Sequence, residues 1–425
     1  MKRLSVYIEI SGEQIFAGSI TGNNQHDAVF QYAEEYINGK YPALSISLPV
    51  DSREFTATET KNFFEGLLPE GFARKSVSDW IHASEDDYLT ILQALGAECL
   101  GAIRISSESD MSGSYEALSK EDVKALAREG VSKSTEMITE AHLSLTGASG
   151  KVGLYYDEAR DLWYKPIGIA PSTHIVKQSH VRLSNIVINE QICLLAAARL
   201  GIDIPESFII NTGNSKDENI LFVTKRFDRL INDRSEITNG IRRPFRLHQE
   251  DFAQALGIAA AEKYETGSES YLQQIFDLLR NNAENPIADQ QKLWDIIVFD
   301  FLAGNTDNHI KNLSLLYSSD LKRIRLAPAY DIVCTTMYPG SNRNMAIGIG
   351  GERLIDRISE KHFAEAASAI GLGKKMAMPR FEKLADGFEK AILDSCEALS
   401  DIGYEESMTI GNQILHTGGY KQLEM

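Results

Sequence analysis

The chain has no CxxC pair. Its four cysteines, Cys99, Cys193, Cys334 and Cys396, are scattered along 425 residues. Neither a zinc site nor a disulfide scaffold is expected, and a reducing cytoplasm is the simpler setting. No window of about 18 apolar residues occurs, so no membrane span is expected. The opening stretch MKRLSVYIEISGEQIF includes Glu9 and Glu13 and lacks the apolar core of a signal peptide. Positive charge is in deficit: 43 Lys and Arg stand against 60 Asp and Glu, a formal net charge of -17. A chain this acidic repels phosphate backbones, which argues against non-specific contact with nucleic acid. No internal repeat of fixed period is present.

What is there is ordinary globular composition, 43% hydrophobic and 24% charged. A single core rarely grows past about 250–300 residues, so two or three subdomains are expected. LSVYIEI and IFAGSI alternate like strands around SGEQ, a hairpin signal. HDAVFQYAEEYINGKY has helical periodicity and ends on Gly39, and ALSISLPV alternates again. Residues 56–104 read as helical and 105–136 as a polar linker with a short helix. From about 141 the chain turns β-rich (AHLSLT, KVGLYYD, LWYKPI, THIVKQS), then gives the helix NEQICLLAAARLGI and the strand ENILFVTKRFDRL. Beyond 247 helical spacing dominates, broken by strands at LSLLY and RIRLAP and by a loop, YPGSNRNMAIGIGG. The expected domains are a small N-terminal α/β unit at 1–104, a linker and short helix at 105–140, a β-rich lobe at 141–245 and a mainly helical lobe at 246–425.

Four stretches carry chemistry. In LSLTGASGKVGLYYD, Gly147 and Gly150 lie between two strands, where small residues let backbone N–H groups approach an anion. It is no Walker A loop, because position 145 is Leu145 and Lys151 is followed by Val152; a plain glycine hairpin is the alternative. Lys177 follows three strand-like residues, and Glu190 comes thirteen residues later in a helix, the order in which protein kinases brace a phosphate-binding lysine. The alternatives are an exposed strand lysine and a solvated helix face. KRFDRL closes a strand as a hinge would, though Arg226, Asp228 and Arg229 also read as surface charge. Last, FLAGNTDNHIKNLSLLY sets a polar run between two apolar segments. Asp307 and Asn312 are five apart, and Asp331 follows one strand later. That is the spacing of a kinase catalytic Asp and its two Mg2+ ligands, and Mg2+ takes hard oxygen donors. An Asx-capped turn is the alternative. His309 fits a structural role as well as a chemical one.

Taken in order, LSLTGASGKVGL, THIVK, KRFDRL, GNTDNHIKNLSLLY and LAPAYDIV resemble the successive motifs of the HipA family of bacterial serine/threonine kinase toxins. ALSISLPV through FFEGLLPEG is similar to the small domain that precedes the kinase in that family. The resemblance implies an α+β, protein-kinase-like two-lobed fold behind a small α/β N-terminal domain. It implies Asp307 as catalytic aspartate, Asn312 and Asp331 as Mg2+ ligands and Lys177 as the lysine on the ATP phosphates. Lys225 and Phe227 fall where the family's hinge backbone meets adenine, and His309 is grouped with the nucleotide site. Ser144 matches a serine that is autophosphorylated to eject the glycine loop. The loop itself departs from the pattern: Gly147, Ala148, Ser149, Gly150 and Lys151 stand where relatives carry a Gln and only one glycine, which makes it more flexible.

The implied activity is transfer of phosphoryl from ATP to a protein hydroxyl. Family members act on aminoacyl-tRNA synthetases and are restrained by a helix-turn-helix antitoxin. No direct nucleic-acid or membrane contact is expected of this chain. Two other readings are carried. One is a small-molecule kinase resembling aminoglycoside or choline kinases, against which the N-terminal domain argues. The other is a non-catalytic ATP-binding co-repressor, against which the full set of catalytic residue types argues.

Overall fold

The computed structural model describes residues 2–50, 54–107, 112–140, 150–179, 183–267 and 270–423. Ser144, Gly147, Ala148 and Ser149, and the strand expected at AHLSLT, lie outside the described residues. The chain divides into two compact units. The first comprises Met1–Gln178, Ile210–Ala260 and Leu316–Arg323; the second comprises Ser179–Ile209, Ala261–Leu315 and Ile324–Met425.

The first unit opens with the hairpin β1 (Lys2–Ile10) and β2 (Glu13–Gly22), antiparallel from Lys2↔Gly22 to Ile10↔Glu13. Its two-residue turn is Ser11-Gly12, both at positive φ (53° and 92°). This is the twist a tight hairpin demands, and it is why a glycine stands there. Leu4, Val6 and Ile8 alternate into the core. With β3 (Val29–Tyr32) and β4 (Ile103–Ser106) these strands form an antiparallel sheet ordered β3-β2-β1-β4. Helices α1 (Glu34–Asn38), α2 (Ala57–Glu65), α3 (Gly71–Trp80) and α4 (Tyr88–Leu95) accompany it. Two readings of the sequence change here. HDAVFQYAEEYINGKY is a short strand followed by a single helical turn and a half. ALSISLPV forms turns: Leu44 and Leu48 are buried, while Ser45 and Ser47 are hydrogen-bonded to Glu250 Oε2 and the Gln254 carbonyl, so its alternation serves packing rather than a ladder.

The polar segment beyond β4 contains β5 (Gly113–Ala117) and two helices, α5 (Lys120–Glu129) and α6 (Val131–Glu140). A capping box between Ser119 and Asp122 starts α5. Strands β6 (Lys151–Asp157), β7 (Leu162–Gly168), β8 (His174–Gln178), β9 (Ser207–Asn211) and β10 (Ile220–Lys225) complete a second sheet, ordered β5-β7-β6-β8-β10-β9.

The second unit is helical: α7 (Ile186–Arg199), α9 (Tyr271–Asn282), α10 (Pro286–Ala303), α11 (Glu360–Ala369), α12 (Lys374–Asp401) and α13 (Ser407–Thr417). A short α8 (Phe252–Leu256) precedes it in the chain. Its core is aromatic. Trp294 is buried, donates from Nε1 to the Ala377 carbonyl at 3.0 Å and meets Phe363 edge-on; Phe301 and Phe381 close around the same ring. The expected loop YPGSNRNMAIGIGG contains a strand, Asn344–Ile349. Its residues Met345–Ile347 are buried, so the glycine-rich flanks bound a strand here. Among the described residues no helix is long and apolar enough to cross a membrane.

Candidate active site

The polar run begins where α10 ends. Pro286 starts that helix and Gly304 stops it in the left-handed conformation, φ 75°. A Cβ at Gly304 would meet Thr336 Oγ1 at 2.2 Å and Gly418 Cα at 2.9 Å, so only glycine closes this helix. The residues after it are buried, with one exception. Asn305, Thr306, Asn308, His309, Ile310 and Lys311 are all buried, while Asp307 is exposed.

Three anchors hold the loop. Asp300, in the last turn of α10, accepts from Asn305 Nδ2 at 2.8 Å and from Asn308 Nδ2, so one carboxylate grips both sides of Asp307. Burial pushes the Asp300 carboxyl up to about 8 against the opposing pull of those two amides. Thr306 is clipped from the other side: its N–H donates to Thr335 Oγ1 at 2.9 Å, and its hydroxyl reaches the Asn342 carbonyl at 2.7 Å. Finally, the Asn312 amide donates to the Asp307 carbonyl at 3.1 Å. The Asx turn is present, since Asn305 Oδ1 accepts the Asp307 N–H at 3.3 Å. The loop is gripped from outside as well, by Asp300, Thr335 and Asn342, and presents one carboxylate outward.

Asn312 and Asp331 are both half-buried. The residues before them are tied together, since Tyr330 donates to the Lys311 carbonyl at 3.2 Å and lies 2.6 Å from Ser314 Oγ. Asp331 has φ 59°, a left-handed conformation that costs a non-glycine residue energy and clusters at functional sites. The donor set suits Mg2+. The Nδ2 of Asn312 is engaged by the loop, which turns its amide oxygen away as a hard donor, and Asp331 adds a carboxylate. Among the described residues no group of three or more His, Cys, Asp or Glu forms a metal cluster. Any site here therefore depends on one carboxylate, one amide and ligand or water oxygens.

In the first unit, Lys177 sits mid-strand in β8 and is only 9% exposed, which removes the reading of an exposed strand lysine. Its register partner on β6 is Lys151. Residues directly opposite in an antiparallel pair point to the same face, so the ladder brings two positive charges together, an arrangement that attracts an anion. Lys177 also lies 5.3 Å over the Phe222 ring. Gly150, beside Lys151, is buried. Lys225, at the end of β10, pairs with Glu158 at 2.7 Å on the surface, and Phe227 is half-buried just beyond. Glu190 belongs to the second unit, where α7 buries it to 4% exposure, so it is not a solvated helix face.

The charges of KRFDRL are not surface charge. Arg226 and Asp228 are buried, and the Arg229 side chain is 2% exposed. Arg226, Arg229 and Arg246 converge on the buried Glu98 at 3.2, 2.7 and 2.5 Å. Asp228 takes Arg226 and Arg229 at 2.8 and 2.9 Å, and Arg246 also reaches Glu9 of β1 at 3.4 Å. Three cations thus face three anions. Burial alone would raise the Glu98 carboxyl, but the guanidiniums of Arg229, Arg246 and Arg226 outweigh it and hold the group down at about 2. Residues 225–230 are thus bolted, through Glu98 and Arg246, to the N-terminal sheet.

Sequence reasoning missed Asp300, Asn189 and Tyr264. A single acid inside the apolar run IIVFDFLA was the available signal for Asp300. Asn189 of α7 binds both backbone groups of Cys334, accepting from its N–H and donating to its carbonyl at 3.0 Å each, three residues past Asp331. Tyr264 donates to Asp307 Oδ1 at 2.6 Å. Neither of these last two residues gave a local signal.

Comparison with known proteins gives consistent matches along the chain. Residues 8–106 match the HipA N-terminal domain and residues 143–392 the HipA-like C-terminal domain. The putative kinase Y4mE of Sinorhizobium fredii is 28% identical over 405 residues, covering 93% of each chain. The serine/threonine-protein kinase toxin HipA of Shewanella oneidensis is 24% identical over 401 residues, 90% of this chain and 87% of that one. Among solved structures, the Shewanella oneidensis HipA in complex with HipB and operator DNA superposes with a TM-score of 0.78 at 22% identity, covering 99% of this chain and 97% of that one. At that identity the likeness speaks for the fold alone. The fold is the α+β, kinase-like two-lobed one, preceded by a small N-terminal domain.

Proposed function

The chain belongs to the HipA family, and from that premise we propose that it is an ATP- and Mg2+-dependent serine/threonine protein kinase that arrests growth. One observation carries the reading: a loop buried on both sides holds Asp307 out alone, with the Asn312 amide bonded to the Asp307 carbonyl. In this reading Asp307 orients the acceptor hydroxyl and takes its proton. Asn312 and Asp331 would hold Mg2+, which when bound neutralises charge on the transferred phosphoryl. Lys177, with Lys151 beside it, attracts the ATP phosphates. The backbone at Lys225 and Phe227 receives adenine. Phosphoryl transfer depends chiefly on positioning and charge, which suits a loop this heavily anchored.

The acceptor is a protein, an aminoacyl-tRNA synthetase or a similar translation protein, and Ser144 is an autophosphorylation site. The partner is a helix-turn-helix antitoxin; support comes from the Shewanella HipA, solved together with HipB and operator DNA. A chain of net charge -17 leaves the DNA to that partner. The test is incubation with radiolabelled ATP and Mg2+, with cell extract as acceptor. Wild type is expected to transfer label and Asp307→Ala to lose at least about 100-fold, the scale of general-base catalysis. Undiminished labelling by Asp307→Ala overturns the assignment.

A further inference from the structure

The contact between Tyr264 and Asp307 has no role in the reaction as described so far. We infer that Tyr264 is a positioning residue, which sets the rotation of the Asp307 carboxylate through its phenolic hydroxyl. The inference rests on the reading of Asp307 as the base. Asp307 is the exposed member of an otherwise buried loop, so water competes for its oxygens and its side-chain torsions are the least restrained there. Tyr264 Oη donates to Oδ1 at 2.6 Å, a charge-assisted bond across 43 positions of sequence.

Tyr264 is well held itself. The next residue, Glu265, donates its N–H to the Ala346 carbonyl at 3.0 Å, and Ala346 donates its own N–H to the Thr306 carbonyl at 3.0 Å. The strand Asn344–Ile349 therefore carries the catalytic loop on one backbone group and the Tyr264 segment on the other. The segment is closed behind Tyr264 as well. Glu265 takes the Tyr271 N–H at 2.9 Å, and the Tyr271 hydroxyl returns to the Glu262 carbonyl at 2.6 Å. The ring meets His309 edge-on at 5.2 Å, and Lys263 lies 5.4 Å over it. A tyrosine mounted on the same strand as the loop keeps its register with the base. The other role open to Tyr264 is a plug, its hydroxyl standing in the acceptor's place on Asp307; a plug would need to leave, and these ties oppose that.

The two roles predict opposite outcomes for Tyr264→Phe, which keeps the ring against His309 and removes only the hydroxyl. Positioning predicts a fall in kcat on the order of tenfold, the scale of one hydrogen bond to a charged group, with KM for ATP unchanged. An unchanged melting temperature shows that the fold is intact. In an Asp307→Asn background the same change should have no further effect. Unchanged or raised kcat in Tyr264→Phe overturns the inference, a rise pointing to a plug. If Asp307→Asn itself is fully active, the reading of Asp307 fails; if Asp307→Asn is dead and Tyr264→Phe is fully active, only the positioning role fails.

Discussion

At the scale of single residues, the site is a contrast between one exposed carboxylate and the buried polar groups that aim it. Asp300 is the clearest case. Asp300→Asn conserves shape but presents an amide N–H2 toward Asn305 or Asn308, setting donor against donor in a buried place. Loss of about 1–3 kcal/mol in urea unfolding is expected, together with lower kcat from a loosened loop. The pH dependence has a definite sign. The folded-state carboxyl is raised to about 8, so between the ordinary carboxylate range and pH 8 the folded chain holds a proton that the unfolded chain releases. Stability from this group therefore falls as pH rises through that window, and Asp300→Asn should flatten the fall in melting temperature measured from pH 5 to 8. Asp307, Asn312 and Asp331 stood out in the sequence as candidates, because kinase chemistry would impose such types at such short spacings. Tyr264 did not, since nothing local marks a tyrosine whose partner stands 43 residues away.

At the scale of elements, two joints decide what the strands and helices present. One is the bolt between β1, the Glu98 segment and KRFDRL. Removing one partner from a buried ion network leaves a charge unpaired, so Glu98→Gln should cost about 3–5 kcal/mol, read as an early transition in denaturant. Glu98 is held at about 2, below its ordinary 4.5. Its contribution is present above about pH 4.5 and lost as pH falls toward 2, so wild type should lose the advantage over Glu98→Gln in acid. The network was invisible in KRFDRL because Glu98 lies 128 residues from Arg226, and an isolated run of charge reads as surface. The other joint is Asn189, which ties α7 to the backbone of Cys334. Strands with clean alternation and helices with strong caps were readable. ALSISLPV and MAIGIG were not, since eight or fewer residues of alternation fit a buried turn as well as a strand.

At the scale of the whole molecule, packing and chain order divide the protein differently. Residues 179–209 follow the β-rich segment in sequence but pack with the helices, through α7. Ligand linkage is the measurement suited to this scale. ATP with Mg2+ should raise the melting temperature of the intact chain by several degrees at saturating ligand, since only the folded state binds. Asp331→Ala should abolish the Mg2+-dependent part of that rise and keep the part due to ATP alone. An equal Mg2+-dependent rise in both proteins would remove Asp331 from the metal site.

Asp331 also sets a trap for anyone who improves this protein by selection. Its backbone sits at φ 59°, where glycine is at ease and aspartate is not. A screen for heat resistance alone would reward Asp331→Gly, which relaxes the backbone while discarding the carboxylate. Under the metal role proposed for Asp331, the more durable molecule would be an inert one, and thermal tolerance would be a poor guide to which copies of this gene still work.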